Sequence, residues 1–482
     1  MERMKKVRMI PTPKRVSESG GRFPYKTELC LLHREFEEAA EVFADYARRL
    51  GLHFTISENA PIQIIRDAAL GQEEYRFSAG NGKVKLFASD LVGVNHAFAS
   101  LLQLFEPDAV SPELVWIPDC EISDAPDCAY RGMMVDLARN WHDFSYLLSY
   151  VDFCYFYKIS VLHLHFTDDQ SYTLPSALLP ALSTKGRCYT EGQIAELNRY
   201  AAARGVQLMP EIDVPGHCVS FQKEYPELFG TDGIICQTPQ SIEAMQALFR
   251  ELCEMFSASK YIHIGGDEAQ IENWLKCPRC AEYAQDAGID VRGEDQKLAA
   301  EKLYASFVMK MAEPVLAAGK IPVAWEGFCE QVNDLVSREI LIMSWENYYQ
   351  VTPALISAGF RIINCSWNPM YIVTPEPAWP PREIYDWSIY KWKAVHPGSP
   401  YLGKELEIPP TRQVLGGQLL AWGDRIAASY PTVEEGVAAE RRLLLERLPF
   451  LAENTWNRDK TISWEALSET AAELGARLEG LY

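Results

Sequence analysis

Two adjacent acids, Asp267 and Glu268, close the apolar run Tyr261-Ile-His-Ile-Gly-Gly. The alternation before them reads as a strand, and Gly265-Gly266 give the backbone freedom to turn over where the strand ends. Two carboxyl groups are thereby delivered side by side. In a barrel of parallel strands, that C-terminal end is where chemistry happens. Adjacent acids in loops are also common as plain solvated groups, so the pair gains meaning from its company.

That company is specific. Polar and aromatic residues crowd the ends of the other β-rich runs of the chain. In order they are Arg131 and Asp136; His163, His165, Asp168 and Asp169; Glu211, Asp213 and His217; and His263 ahead of Asp267 and Glu268. Trp325-Glu326, Trp345-Glu346, Tyr371 and Trp422-Gly-Asp424 complete the set. Any one of these reads equally well as a satisfied buried group or a core tryptophan. Together, at one end of one architecture, they read as an active site. Acids with tryptophans point to carbohydrate, because flat apolar sugar faces pack on indole while carboxylates and an arginine satisfy hydroxyls.

The elements that must position them are eight runs: Tyr130 to Leu137, Val161 to Phe166, Val206 to Ile212, Tyr261 to Ile264, Pro322 to Trp325, Ile340 to Ser344, Arg361 to Ser366 and Leu415 to Trp422. Helical patterns such as Gln193 to Arg204 and Gln296 to Ala318 lie between most of them. Eight β/α alternations predict a closed (β/α)8 TIM barrel, whose chemistry sits at the C-terminal strand ends. An open doubly wound sheet is the other topology, but no glycine-rich phosphate loop follows any run. The barrel is expected over residues 126–482, with Val433 to Arg447 and Trp464 to Leu478 as closing helices. Residues 1–125 read as a small α/β supporting domain: helices over Phe36 to Leu50 and Gly93 to Phe105, and strands at Ile62 to Ile65, Glu74 to Phe77 and Lys83 to Phe87. The last two strands flank a Gly80-Asn81-Gly82 turn. Pro107 and the stretch Pro112 to Pro126 read as the passage between the two domains.

Composition bounds the partners. The 482 residues carry 46 basic against 66 acidic side chains, a net charge of −20 that argues against nucleic acid and anionic membranes. Met1 to Pro11 is basic without the apolar core of an export signal, and no window has the length of a membrane span. The twelve cysteines then read as reduced thiols of a cytoplasmic protein. Cys277-Pro-Arg-Cys280 has zinc-like spacing, but a closed site needs two further ligands and no second such pair exists, so plain thiols and no metal are expected.

Four ordered segments carry a resemblance: Tyr130-Arg-Gly-Met-Met-Val-Asp-Leu-Ala-Arg139, His163-Leu-His-Phe-Thr-Asp-Asp-Gln170, Pro210-Glu-Ile-Asp-Val-Pro-Gly-His217 and His263-Ile-Gly-Gly-Asp-Glu268. They resemble the signatures of the family 20 β-N-acetylhexosaminidases over about residues 130 to 425, and residues 1–125 resemble the small domain preceding the barrel there. The resemblance implies an exo-acting enzyme without a cofactor. It would remove terminal β-linked GlcNAc or GalNAc from a glycan or glycoconjugate through an oxazolinium intermediate formed by the substrate's own acetamido group. Residue by residue, it implies Glu268 as acid and then base, Asp267 as holder of the acetamido N–H, and Tyr371 as donor to the acetamido oxygen. Arg131 would grip hydroxyls, and Trp325, Trp345 and Trp422 would wall the pocket with Trp387 beside them. Asp168 and His217 would support Glu268, and Asp424 would meet the outer hydroxyls. The chain departs from the family pattern at Leu164 and Tyr172, where tryptophan is common, at Val373, where an acid is common, and at Asp424, where glutamate is frequent. Those departures bear on the 4- and 6-hydroxyls.

Three other readings stay open. His163, His165, His217 and His263 resemble the ligands of a metal-dependent amidohydrolase, although the His-x-His lies on the second strand rather than the first. Glu326 or Glu346 could act as a protein nucleophile with Glu268. A non-catalytic sugar-binding module would leave Asp267 and Glu268 without a task.

Overall fold

The protein is described by a computed structural model over residues 7–293, 295–373 and 379–481; the basic residues 1–6 invoked above lie outside the described residues. Eight strands form the expected parallel barrel. They are β1 (Tyr130–Asp136), β2 (Val161–His165), β3 (Gln207–Glu211), β4 (Tyr261–His263), β5 (Ile321–Trp325), β6 (Leu341–Ser344), β7 (Arg361–Asn364) and β8 (Val414–Ala421). Each pairs with the next, and β8 closes the ring on β1. Every residue of β1 and β2 is buried, since these strands are covered inside by the barrel core and outside by helices.

One seam is irregular, and it matters for the site. The lower half of β8 pairs with β7, while its upper half pairs with the two-residue strand Tyr371–Ile372. The register shifts at Gly416, where a Cβ would lie 1.7 Å from the Tyr130 carbonyl oxygen, so only glycine fits. The segment between β7 and β8 thus turns back into the barrel mouth and carries Tyr371 there.

The N-terminal part is a mixed sheet in the spatial order Arg15–Lys26, Leu114–Asp124, Tyr75–Gly80, Lys83–Ala88, Ile62–Arg66, Glu28–Leu31, Thr55–Ile56. Helices Glu37–Arg49 and Leu91–Leu104 pack together through Phe43 and Phe98, whose rings stack at 4.6 Å. Two long strands there were not anticipated. Arg15–Lys26 is a largely exposed edge strand without apolar alternation, and Leu114–Asp124 contains Pro118, which reads as a strand breaker. Pro118 is accommodated where the pairing with Arg15–Lys26 shifts register between Glu18 and Arg22.

Arg131 belongs to this inter-sheet region rather than to a sugar pocket. It is the second residue of β1, about five strand residues or ~16 Å below the mouth. Its guanidinium is fully buried, donates to the carbonyls of Lys158 (2.9 Å) and Cys128 (2.8 Å) and pairs with Glu73 of the N-terminal sheet region. It also lies over the Trp456 ring. Beside it, buried Lys158 donates to Tyr75 and sits 3.8 Å from Asp124, and burial lowers its pKa to about 8. Replacing Arg131 by Met strands two carbonyls and a carboxylate. A loss of about 3 kcal/mol in denaturant-unfolding stability is expected, with KM unchanged in the folded fraction; a raised KM at unchanged stability would return Arg131 to the pocket.

Candidate active site

The mouth of the barrel holds a cavity of about 220 Å³ lined by Arg139, His217, Asp267, Glu268, Trp345, Trp367, Tyr371, Val373, Trp422, Asp424 and Arg425. Seven of the site residues that the resemblance implies, His217, Asp267, Glu268, Trp345, Tyr371, Trp422 and Asp424, are therefore brought together. Asp267 and Glu268 reach the mouth because Gly265 and Gly266 take φ of +71° and +117° directly after β4. A Cβ at Gly265 would fall 2.5 Å from the Val214 amide nitrogen, so the turn is packed against the loop after β3. Glu268 and His217 themselves adopt positive φ, +49° and +43°, a conformation that costs a non-glycine residue energy and clusters at functional positions.

The two acids sit in unlike surroundings. Asp267 is buried, and its Oδ1 has no hydrogen-bond partner among the described residues. Burial, with Glu268 and Glu211 nearby, pushes its pKa up to about 6 despite the opposing pull of His217. Glu268 is more than half exposed at the side chain and lies 3.4 Å from His217 Nε2. The hydrogen bond from His217 holds its carboxyl below the usual range against the opposing effect of burial.

Behind Glu268 runs a relay of charges. His217 Nδ1 lies 3.4 Å from Asp168, which is also held by Arg139 at 2.7 Å and by His165 at 2.9 Å. Burial alone would raise the Asp168 pKa, but these donors hold it far below the ordinary value. Desolvation works against a charged His217, yet Asp213, Asp168 and Glu268 together raise its pKa well above normal. Asp213 is driven the other way, upward, by burial and by Asp267. Beneath lies a closed hub: Glu211 meets His163 at 3.1 Å, His263 at 2.9 Å, the Trp325 indole at 2.7 Å and His165.

Aromatic rings form the walls. Tyr371 stacks on Trp367 at 4.5 Å and faces Trp345 at 6.2 Å and Trp422 at 6.0 Å. Trp345 is fixed by its indole N–H to the Glu326 carbonyl, and Trp422 lies under the Arg139 guanidinium.

Three sequence expectations need correction or refinement. Arg131 is absent from the pocket, and the arginine that lines it is Arg139, three residues beyond the end of β1. Trp387 follows helix Pro381–Asp386, donates to the Lys391 carbonyl and presses on Gly417 of β8; it packs the seam behind the pocket and does not line it. Trp325 is one layer lower, 5.9 Å from Trp422 and tied to Glu211. Trp367 and Arg425 were missed. Trp367 lies in the irregular segment after β7, where no periodicity marks orientation, and Arg425 follows Asp424 in an exposed turn of helix. Of the four departures from the family pattern, Val373 and Asp424 line the cavity. Leu164 and Tyr172 are buried, Tyr172 against Phe221.

The geometry weighs on the competing readings. Glu326 is buried and accepts from the backbone amides of Trp345, Asn347 and Tyr348, while Glu346 accepts from those of Val395 and His396. Both carboxylates clasp loops and are not free to attack a sugar. The imidazoles of His163 and His263 are wholly buried against Glu211, whose oxygens are also met by His165 and by the Trp325 indole N–H.

The family model described as glycosyl hydrolase family 20, catalytic domain, matches residues 128–459, and that of the family's domain 2 matches residues 6–125. A β-hexosaminidase of Vibrio furnissii is 27% identical over 76% of this chain and 63% of its own length. One of Akkermansia muciniphila is 31% identical over 55% of this chain and 58% of its own. The chain thus spans about three fifths of the length of these curated relatives. In fold it is similar to an exo β-N-acetylglucosaminidase from Vibrio harveyi solved with N-acetylglucosamine (TM-score 0.80, 22% identity, covering 98% of this chain and 77% of that one). It is similar too to a β-N-acetylhexosaminidase from Bacteroides fragilis (TM-score 0.80, 20% identity, 99% and 96% covered). With its N-terminal sheet and its barrel both matched, the chain belongs to glycosyl hydrolase family 20.

Proposed function

We propose that the chain is an exo-acting β-N-acetylhexosaminidase that releases terminal β-linked GlcNAc or GalNAc with retention, using the substrate's acetamido oxygen as nucleophile. The observation that carries this reading is the buried Asp267 oxygen without a donor on the wall of a small pocket, beside an exposed partner acid. An unsatisfied buried oxygen costs about 1–3 kcal/mol, which an acetamido N–H would recover. The cavity, about 220 Å³, suits one sugar ring rather than a chain, and ring faces suit Trp345, Trp367 and Trp422.

In the first step the acetamido oxygen attacks the anomeric carbon as the glycosidic bond breaks, and Glu268 gives its proton to the leaving oxygen. Positive charge then spreads over the cyclised acetamido group, where Asp267 accepts the N–H and offsets it. Tyr371, across the pocket, orients the acetamido oxygen. In the second step Glu268 takes a proton from water as it attacks the anomeric carbon and the ring reopens. His217, backed by Asp168 and Arg139, steadies the Glu268 carboxylate between steps. Val373 offers an outer hydroxyl no acid, so Asp424 and Arg425 are left to meet the 4- and 6-positions. None of the twelve cysteines is joined in a disulfide, which fits a reducing compartment such as the cytoplasm.

Substitution separates this reading from a two-carboxylate mechanism. Asp267→Asn should lower kcat for an aryl N-acetylglucosaminide about 10²–10³-fold. Glu268→Gln should lose about 10²–10⁴-fold with alkyl leaving groups and far less with activated ones. A mild Asp267→Asn effect would refute participation by the acetamido group.

The acids also set a pH limb. In the free enzyme the pair holds one proton between the lowered Glu268 value and about 6, and loses it above. Catalysis needs that proton on Glu268, so kcat/KM should fall as pH rises through about 6. In Asp267→Asn the group that titrates at about 6 is gone and His217 still holds Glu268 below its ordinary value, so the limb should move to lower pH. A limb unmoved by that substitution would assign the titration elsewhere.

A further inference from the structure

The zinc-like pair Cys277 and Cys280 gains a third sulfur that the sequence pattern did not show. Cys236 Sγ lies 3.7 Å from Cys277 Sγ and 3.3 Å from Cys280 Sγ, and the three sulfurs all lie within 4.8 Å of one another. Sulfurs bound at 2.3 Å around a tetrahedral zinc stand about 3.8 Å apart. A disulfide would need about 2.05 Å. From this triangle we propose a three-thiolate zinc site formed by Cys236, Cys277 and Cys280, with water as the fourth ligand beside the partly exposed Cys277.

The surroundings are those of a thiolate cluster. The Gln237 backbone N–H donates to Cys280 Sγ at 3.3 Å, and the Arg279 guanidinium, anchored on the Glu227 carbonyl, contributes positive charge near Cys236. Cys277 caps helix Pro278–Asp286 and Cys280 sits in its first turn, so two ligands are held rigidly. Cys236 comes from the loop after β3, where Ile235 N–H donates to the Pro215 carbonyl and Trp274 donates back to the Ile235 carbonyl. Zinc would therefore staple the loop that carries His217 to the segment following Asp267 and Glu268. It would hold the two halves of the acid–imidazole pair in register without touching substrate. Loading releases the thiol protons and changes no oxidation state.

The test is elemental analysis of the full chain, untagged, purified without chelator from zinc-supplemented culture. About one zinc per chain is expected, released stoichiometrically by a mercurial thiol reagent. Cys236→Ser and Cys277→Ser should lose it, and Cys188→Ser, outside the cluster, should keep it. Should the cluster variants fail to fold, wild-type protein grown on cobalt keeps the proposal testable: it should show intense thiolate-to-cobalt charge-transfer bands. A wild-type chain without zinc and without those bands, zinc retained in Cys236→Ser, or a Cys236–Cys280 disulfide found after alkylation of non-reduced protein would each overturn the site.

Discussion

Asp267 and Glu268 are neighbours in sequence, yet the turn at Gly265-Gly266 leaves them in different media. One carboxyl faces a dry wall with an oxygen to spare, and the other faces water and an imidazole. Chemically similar groups thereby become different tools, since burial favours a neutral or hydrogen-bonded carboxyl while His217 favours a charged one. That inequality requires the backbone to fold over within two residues, which is why a Cβ at Gly265 would collide with the loop after β3. Everything else at the mouth either maintains this separation or shapes the space above it.

Maintenance is layered. Glu211, wholly buried, gathers three imidazoles and an indole, and it fixes where β2, β3, β4 and β5 stand relative to one another. Both Glu211 oxygens are paired, and a buried carboxylate held from four sides in this way rigidifies the strands around it. Above it, Asp168 joins His165, His217 and Arg139, so the imidazole beside Glu268 is positioned by groups from β1, β2 and β3 at once. Trp345 and Trp422 then stand on loops whose own shapes are set by Glu326 and by Gly423 N–H on Asp136.

Much of this was legible in the chain. Strand-length apolar runs ending in acids, histidines and tryptophans located the barrel and its active end, because parallel strands are buried on both faces and their C-terminal ends are not. Arg131 was misassigned because residue type was read without counting position along the strand; Arg139, past the strand end, is the one that reaches the mouth. Trp387 and Trp367 exchanged roles for a related reason. Both lie in the irregular connection to β8, where no repeat tells inward from outward. The edge strand Arg15–Lys26 left no alternation to read, and Cys236 meets Cys277 across 41 residues through packing that spacing cannot reveal.

The account stands or falls on where the nucleophile comes from. Progressive fluorination of the N-acyl group in a series of aryl N-acylglucosaminides weakens the carbonyl oxygen without altering the leaving group. If that oxygen attacks, log kcat/KM must fall steeply and linearly with fluorine substitution. A flat series, with the trifluoroacetyl substrate cleaved as fast as the acetyl one, would mean that the protein supplies the nucleophile and that Asp267 has another task.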